Sequence, residues 1–219
     1  MKTVMQFDTK NALVLPHKFH NDDVRFSDSF AEYFIEQFTQ PGDLVFDPFA
    51  GYGTTLCAAE KLGRRAFGIE YLPERVSLCK QQLHNPNSII CGCSLKLNEL
   101  DVPYIDLVLT SPPYMQRINH PEYPFAGYQI TEQGYSDYLN DINDIFTEVK
   151  KHLKPSAHVL IEVSNLMIDG VFTPLAWDVA ESVGRTLTLK HEVIIEWQSE
   201  TAPAYGHGYD HSYVLIFQV

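Results

Sequence analysis

Residues 43–55 read DLVFDPFAGYGTT, and this stretch decides the fold of the chain. The apolar run of residues 43–47 predicts a buried strand, and residues 54–62 predict a helix. Between them, Gly51 and Gly53 let the backbone turn tightly and come close to a ligand. The loop leads into a helix N-terminus, where negative charge is favoured. The stretch therefore predicts a strand, a ligand-binding loop and a helix in succession.

Short apolar runs alternate with helical periodicity over the rest of the chain. Strands are predicted at residues 43–47, 65–70, 88–91, 105–110, 157–163, 193–197 and 212–219. Helices are predicted at residues 26–39, 54–62, 73–84, 135–153 and 173–184. Because such alternation produces parallel βαβ units, and no helix separates the last two strands, we expect a Rossmann-like α/β sheet of seven strands. Its C-terminal edge would be an antiparallel hairpin. We expect one domain over residues 1–219, with residues 1–25 as an N-terminal extension.

A carboxylate follows the glycine loop at a suitable distance. The second predicted strand ends in Glu70, 23 residues after Asp47. A carboxylate about 20 residues beyond such a loop suits the two hydroxyls of a ribose. Taken alone, the pattern also fits an ordinary glycine-rich turn, and the GxG spacing differs from the GxGxxG of dinucleotide-binding proteins.

The whole string DPFAGYGTT, residues 47–55, resembles the cofactor loop of S-adenosylmethionine-dependent DNA amino-methyltransferases. The resemblance implies the class I methyltransferase fold and S-adenosylmethionine as cofactor. It implies that Asp47 supports the loop and that Glu70 binds the ribose. The start of the first helix, Arg25-Phe26-Ser27, resembles the N-terminal cofactor segment of that family, which makes Phe26 a further cofactor residue. The loop residues implied to line the methionine part of the cofactor are Phe49, Ala50, Gly51, Gly53, Thr54 and Thr55.

The third predicted strand departs from the pattern of this family. Many members carry an Asp after that strand, facing the adenine amino group, whereas residues 91–94 here read CGCS and place Cys93 at that position. We expect Ser94 or backbone groups to make the contact instead. The Cys-x-Cys pair has no second pair at zinc-finger spacing, so no metal site is predicted.

The second motif is TSPPY, residues 110–114, at the end of the fourth predicted strand. An exocyclic amino group on a base is a poor nucleophile that gains positive charge as it attacks, so its site needs acceptors for the amino hydrogens. Pro112 and Pro113 remove amide donors and stiffen the loop. The Pro112 carbonyl and the Ser111 hydroxyl are then the candidate acceptors. Tyr114 offers a ring on which a base can stack, an interaction worth about 1–3 kcal/mol. A base in a duplex would have to flip out to reach it.

The combination of the two motifs is more specific than either motif alone. TSPPY by itself also fits a strand end with a buried tyrosine. Its place at a second strand end, about 60 residues after the glycine loop, favours an amino-methyltransferase. TSPPY resembles the DNA enzymes that methylate cytosine N4, whereas adenine-N6 enzymes more often carry Asp or Asn at the position of Ser111. The resemblance implies site-specific DNA methylation of the restriction-modification type. An RNA-base or protein-amide methyltransferase, and a cofactor-binding subunit of a larger complex, stay open as alternatives.

The charge of the chain points away from tight autonomous DNA binding. Asp and Glu number 28 against 16 Lys and Arg, for a net charge of −12, whereas proteins that neutralise phosphates are basic. Arg117 is the only Lys or Arg between Ser111 and Asn140, so it is the predicted phosphate contact. About 55 residues separate the two motifs, and strands and helices use them all, so no target-recognition domain fits there. We expect weak DNA binding, with target recognition supplied by a second protein chain or a homodimer.

Two further segments lie near the motifs in the sequence. The loop of residues 115–134 carries Tyr123, Phe125 and Tyr128, which either cover a target base or pack on the core; Tyr123 is a predicted substrate contact. Residues 205–211 contain an H-x3-H pair without a third ligand, so we expect a loop near the site there and no metal.

The sequence also indicates the compartment. No apolar run approaches the roughly 20 residues that span a bilayer. The N-terminus lacks the apolar core of a signal peptide. Four cysteines do not suggest a disulfide scaffold. We therefore expect a cytoplasmic protein without membrane contact.

Overall fold

A computed structural model describes residues 2–22, 24–118, 122–198 and 210–219. The strands in these ranges are β1 Val4–Asp8, β2 Leu44–Asp47, β3 Arg65–Glu70, β4 Ile89–Cys91, β5 Ile105–Thr110, β6 Glu122–Tyr123, β7 Gln129–Ile130, β8 Leu153–Val163, β9 Leu166–Ile168, β10 Val171–Thr173, β11 Thr188–Gln198 and β12 His211–Gln218. The α-helices in these ranges are α1 Asp28–Phe38, α2 Thr54–Lys61, α3 Pro73–Lys80, α4 Tyr135–Lys150 and α5 Leu175–Val183.

The central sheet has the order β4-β3-β2-β5-β8-β12-β11-β1 within the described ranges. Within this order, the neighbouring strands pair in parallel along the run β4-β3-β2-β5-β8. Strand β12 pairs antiparallel with both β8 and β11. This confirms the predicted α/β class with its antiparallel C-terminal strands. The predicted count of seven strands is wrong, because the described part of this sheet contains eight. The C-terminal hairpin is also not the edge, since β1 pairs in parallel with β11 on its outer side.

Strand β1 lies inside the segment that the sequence predicts as an N-terminal extension. Its five residues, VMQFD, are exposed or only partly buried. Polar and apolar residues alternate over too short a stretch here to predict a strand from the sequence. The Phe7 ring anchors the strand, with its centroid 5.5 Å from that of Phe30 and 6.4 Å from that of Trp197. The first residues therefore extend the sheet.

Two apolar layers cover the two faces of the sheet. Buried residues of α1, α2 and α3 pack on one face, and those of α4 and α5 pack on the other. Alternation within β2 shows the division, because Leu44 and Phe46 join the layer of α4 and α5 while Val45 joins the opposite layer. Strands buried on both faces are continuously apolar, which is why the sequence predicts them well.

The order of the strands creates a crevice at one point of the sheet. From β2 the chain proceeds to β3 and β4 on one side, and it then returns to β5 on the other side of β2. Open α/β sheets bind ligands at such a reversal, beyond the carboxyl ends of the strands. Both sequence motifs follow directly from these two neighbouring strands.

None of the helices in the described ranges is both long and apolar enough to cross a bilayer.

Candidate active site

A cavity of about 610 Å³ opens at the carboxyl ends of β2, β3, β5 and β8. This volume lies within the range of small-molecule sites, about 300–1,000 Å³. Thirteen of the residues predicted from the sequence line it together. They are Phe26, Asp47, Phe49, Ala50, Gly51, Thr54, Thr55, Glu70, Ser94, Ser111, Pro112, Pro113 and Tyr114.

Three predicted site residues do not line the cavity, namely Gly53, Arg117 and Tyr123. Tyr123 is 1% exposed, and its hydroxyl donates to Asp141 Oδ2 at 2.6 Å. Its assignment as a substrate contact is therefore corrected: the ring belongs to the core. Arg117 is exposed, and its backbone N–H donates to Thr173 Oγ1 at 3.0 Å. A phosphate contact for its side chain stays a prediction.

Gly53 is packed closely against α3, and its role as a cofactor contact stays a prediction. A Cβ at this position would lie 2.3 Å from Cys79 Sγ on α3, and the backbone has φ +88°. Glycine is therefore required both by the left-handed conformation and by the close approach of α3. The tight loop depends on this contact.

We expect Gly53→Ala to lower the free energy of unfolding by about 2–4 kcal/mol, because backbone strain and an overpacked contact add together. Urea denaturation measures the loss. Gly42→Ala is the matched control, since Gly42 has φ +90° and a Cβ there would meet nothing within 4 Å, so only strain remains. Adding Cys79→Ala to Gly53→Ala should restore part of the loss, and an equal loss in both single glycine variants would contradict the packing argument.

The Glu70 carboxylate closes the glycine loop from the next strand. Its Oε2 accepts the Gly51 N–H at 3.0 Å, and its Oε1 accepts the Leu72 N–H at 2.8 Å. Burial raises its pKa, partly offset by the Leu72 amide and the Arg75 charge. Carboxylate oxygens can accept further hydrogen bonds, so the same group can hold ribose hydroxyls while fixing the loop.

Asp47 is the buried support of the loop. Its Oδ1 accepts the Thr110 hydroxyl at 2.6 Å and the Phe49 N–H at 2.9 Å. Burial raises its pKa to about 6, although the hydrogen bonds from Thr110 and Phe49 oppose the shift. This carboxyl joins β2 to β5, and thereby joins the two sequence motifs.

The raised pKa of Asp47 predicts how stability depends on pH. A carboxyl whose pKa rises from 3.8 to about 6 on folding contributes stability that is complete below pH 3.8 and is lost as pH rises through 6. A shift of roughly two pKa units corresponds to about 3 kcal/mol. We expect wild type to lose that amount relative to Asp47→Asn between pH 4 and 7, measured by urea unfolding. Parallel stability curves for the two proteins would contradict the assignment.

Cys93 and Ser94 follow β4, in the segment where this sequence departs from the family pattern. The Ser94 hydroxyl donates to the Pro48 carbonyl, and Cys93 Sγ lies 4.0 Å from the Phe125 carbonyl oxygen. Both residues line the cavity. Because the Ser94 proton is directed to Pro48, an adenine contact through this hydroxyl would use its acceptor lone pairs.

The predicted catalytic segment, residues 110–114, extends from β5 over the cavity. The Tyr114 hydroxyl accepts the Ser164 N–H at 2.8 Å and donates to Glu162 Oε2 at 3.4 Å. The Pro113 carbonyl accepts the Tyr138 hydroxyl at 2.9 Å. These contacts hold the segment against the end of β8 and against α4, so its backbone and ring orientation are fixed.

Glu162 is a cavity residue that the sequence reasoning missed. It is 5% exposed at the carboxyl end of β8, beside Ser111 and Tyr114. Burial raises its pKa, and hydrogen bonds with Ser212, Ser111 and Tyr114 partly offset the rise. A lone acidic residue in the apolar run HVLIEV, residues 158–163, was the signal that could have identified it.

The segment of residues 122–130 covers one side of the cavity. Phe125 and Tyr128 line it, and the Phe125 centroid lies 5.8 Å from that of Phe49. Tyr128 has a left-handed backbone, with φ 61°, a conformation that bulky residues rarely adopt. Tyr123 therefore packs in the core, whereas Phe125 and Tyr128 line the cavity, and the covering of a target base by these two rings stays a prediction.

Two arginines on this cavity were also missed. Arg25 and Arg75 both line it, and both guanidinium groups lie over the Tyr52 ring, at 5.5 Å and 4.9 Å from its centroid. Their positions 50 residues apart in the sequence give no joint signal. Residues 205–209, which belong to the predicted loop near the site, lie outside the described ranges, and His211 begins β12.

The cavity fits S-adenosylmethionine in its donor and acceptor groups. The Glu70 carboxylate suits ribose hydroxyls, and aromatic and apolar side chains offer surfaces for a purine. At Gly51, with φ +55°, a Cβ would meet only the Phe49 carbonyl oxygen at 3.9 Å. The glycine therefore leaves an open space beside the loop in which a ligand can approach the backbone.

Part of the chain is similar in sequence to known DNA methylases. A family model described as DNA methylase matches residues 9–81, about a third of the chain. Type II methyltransferase M2.DpnII of Streptococcus pneumoniae is 38% identical over 60 residues, which are 26% of this chain and 22% of that protein. Type II methyltransferase M.BsoBI of Geobacillus stearothermophilus is 35% identical over 97 residues, 43% of this chain and 18% of that protein. The alignments thus span about a fifth of these relatives.

Two solved structures share the fold over most of the chain. TrmN from Thermus thermophilus has a TM-score of 0.61 at 18% identity and covers 92% of this chain and 52% of that chain. A TehB-like SAM-dependent methyltransferase from Corynebacterium glutamicum has a TM-score of 0.57 at 12% identity and covers 92% of both chains. The fold is that of the class I methyltransferases.

These similarities confirm the resemblance to S-adenosylmethionine-dependent DNA amino-methyltransferases that the sequence shows. The family name covers methylation of adenine N6 and of cytosine N4, so the similarities do not distinguish the two bases. The family match ends at residue 81, before residues 110–114. The roles of the predicted catalytic segment therefore stay predictions.

Proposed function

We propose that the chain methylates the exocyclic amino group of a DNA base, with cytosine N4 as the preferred acceptor. The observation that carries this proposal is the meeting of residues 110–114 and the glycine loop in one cavity, joined through the hydrogen bond from Thr110 to Asp47. Bound S-adenosylmethionine supplies an electrophilic methyl group. The chain has to hold an amino group beside it and accept its hydrogens.

Ser111 and Pro112 provide the acceptors in this proposal. Both line the cavity, and proline has no amide N–H to compete as a donor. Glu162 lies beside Ser111 in the cavity, so its carboxylate can accept the Ser111 proton and leave the Ser111 lone pairs available to a base amino group. The acceptors stabilise the positive charge that develops on the nitrogen as it attacks.

Tyr114 holds the base in this arrangement. Its hydroxyl is fixed by Ser164 and Glu162, so the ring enters the site with a set orientation. A fixed ring stacks on a base with a small loss of side-chain freedom. A duplex has to release the base by flipping before it can stack there.

The preference for cytosine is supported by Ser111. Amino-methyltransferases that act on adenine more often carry Asp or Asn at this position, by the family resemblance of the TSPPY segment. We expect N4-methylcytosine as the product.

The deciding experiment is transfer of a labelled methyl group from S-adenosylmethionine to DNA, RNA and protein fractions, followed by nucleoside analysis of labelled DNA. Label in DNA as N4-methylcytosine is the expected result. Label as N6-methyladenine would overturn the base assignment but retain amino methylation. Label confined to RNA or protein would overturn DNA as acceptor. The double variant Ser111→Ala, Pro112→Ala serves as the control, because it removes the Ser111 hydroxyl and loosens the backbone that positions the carbonyl of residue 112.

DNA binding by the chain alone should be weak. The net charge is −12, and no Lys or Arg follows Lys190. Affinity for nucleic acid depends mainly on phosphate neutralisation, so a partner chain or a second copy would supply target recognition. We expect a dissociation constant for random duplex DNA weaker than about 1 μM at physiological salt, near the range of non-specific binders. Fluorescence anisotropy measures it, and submicromolar affinity would contradict the proposal.

A further inference from the structure

We propose that the acceptor of this chain is a base in single-stranded DNA, and that an exposed apolar surface beside the cavity binds the nucleotides next to that base. The apolar surface consists of Ile118, Met167, Phe172 and Trp177, whose exposed fractions are 52%, 41%, 45% and 44%. The inference rests on the proposed methylation of DNA and names the form of DNA that the site takes.

A short hairpin presents two of these side chains. Strands β9 and β10 pair antiparallel, and Asp169 and Gly170 join them with φ of 51° and 75°. Two positive φ values in a two-residue turn are typical of the type I′ hairpin, whose twist matches that of its strands. Met167 and Phe172 are direct cross-strand partners, so both side chains lie on the same, exposed face. The turn therefore fixes an apolar pair toward solvent.

The apolar surface is continuous with the proposed acceptor site. Ser164 lines the cavity two residues before β9 begins, and its N–H donates to the Tyr114 hydroxyl at 2.8 Å. On the other strand of the hairpin, the Thr173 hydroxyl oxygen accepts the Arg117 N–H at 3.0 Å, which ties the chain after the catalytic segment to β10. Trp177 follows in the first turn of α5. A strand whose target base stacks on Tyr114 therefore meets this surface with its neighbouring nucleotides.

The charge of these elements favours contact with bases over contact with phosphates. Residues 111–118 and 164–178 contain Arg117 as their only Lys or Arg, against Asp169 and Asp178. Duplex DNA carries twice the backbone charge of one strand along its axis, so an acidic chain repels it more. Stacking on exposed aromatic rings requires unpaired bases and depends less on phosphate neutralisation. A single strand also offers its target base without unpairing. The surface therefore fits a single strand better than a duplex.

Labelled-methyl transfer tests this preference on native and heat-denatured samples of the same long DNA of mixed sequence. We expect wild type to have a kcat/KM about tenfold higher or more on the denatured sample. In Phe172→Ala, Trp177→Ala this ratio should fall to about twofold or less, because the stacking surface is lost. The dissociation constant of S-adenosylmethionine, measured by calorimetry, should stay within about twofold in that variant, which shows that the fold is intact.

Two matched variants complete the comparison. Phe172→Tyr, Trp177→Phe should keep most of the preference for denatured DNA, because both rings remain. Leu189→Ala should keep all of it, since Leu189 is an exposed apolar residue at the start of β11, at the opposite end of the sheet from the cavity.

Tryptophan fluorescence reports the contact without any transfer. The chain has two tryptophans, of which Trp177 is 44% exposed and Trp197 is 6% exposed. Single-stranded oligo(dT) should quench the fluorescence of wild type, and the duplex of oligo(dT) with oligo(dA) should quench it much less. In Trp177→Phe the quenching by oligo(dT) should disappear.

The contrary results are distinct from one another. Equal or faster transfer to native DNA by wild type would overturn the single-strand assignment and retain DNA methylation. An equal loss on both samples in Phe172→Ala, Trp177→Ala would overturn the role of the apolar surface. A wild-type dimer in sedimentation that this variant abolishes would overturn it too, and would assign the surface to contact between two copies. Absence of transfer to either sample would remove the proposed function, and quenching by oligo(dT) would then decide alone whether the surface binds a single strand.

Discussion

Tyr114→Ala should lower methyl transfer to DNA by about a hundredfold or more while leaving the dissociation constant of S-adenosylmethionine within about threefold. Stacking on an aromatic ring contributes about 1–3 kcal/mol per base, and a base misplaced by about 1 Å can cost a further factor of about a hundred. The ring has little role in the cofactor loop, because its hydroxyl bonds to Glu162 and Ser164 at the far side of β5 from that loop. Labelled-methyl transfer under single-turnover conditions and calorimetry give the two quantities.

Two further variants distinguish the effect of the Tyr114 ring from that of its hydroxyl and from the effect of removing an exposed tyrosine elsewhere. Tyr114→Phe keeps the stacking surface and removes the bonds to Glu162 and Ser164, so we expect a loss of about tenfold or less. Tyr104→Ala removes a tyrosine that is 70% exposed before β5, at the opposite end of the strand from Ser111, and should leave transfer unchanged. Equal activity in Tyr114→Ala and wild type would show that Tyr114 does not hold the base.

The parts of the site that could be predicted are those in which a motif coincides with a strand end. Buried parallel strands are apolar on both faces, so β2 and β5 stand out in the sequence, and whatever follows them must lie at the ligand-binding edge. This is why the loop of residues 47–55 and the segment of residues 110–114 line one cavity. Gly53 shows the limit of sequence reasoning, because the sequence cannot distinguish a glycine that faces a ligand from one that faces α3.

Features that depend on distant pairing could not be predicted. Strand β1 is short and half exposed, and it is defined only by its pairing with β11. Arg25 and Arg75 are related only through the fold, which brings both guanidinium groups over the Tyr52 ring. Tyr123 fits a substrate contact by its place in the sequence, and only its hydrogen bond to Asp141 and its burial place it in the core.

Acidic residues outnumber basic ones in the cavity lining, as they do in the whole chain. Four carboxyl residues line the cavity against two arginines, so the site itself favours cationic ligand groups. A cationic sulfonium is compatible with that field, whereas DNA phosphates are not. The same charges that favour the cofactor therefore work against unaided binding of nucleic acid.

Glu162→Ala should lower methyl transfer by about a hundredfold, since it leaves an acceptor unpositioned and one preorganised group at a developing charge is worth a factor of about 10²–10³. Glu162 acts as a positioning residue: its carboxylate accepts the Tyr114 hydroxyl and lies beside Ser111, and so orients the ring and the acceptor. Removing it frees both groups at once. The dissociation constant of S-adenosylmethionine should change much less than the rate.

The dependence of this rate on pH distinguishes positioning from a purely structural role. Burial raises the pKa of Glu162, and only the ionised carboxylate accepts from both hydroxyls without donating a proton. We therefore expect kcat of wild type to fall as pH decreases through this raised pKa. Glu162→Gln should be slower and lack that limb of the profile. Glu192→Gln, at an exposed glutamate of β11, should keep it. An acid limb that persists unchanged in Glu162→Gln would show that another group controls the reaction.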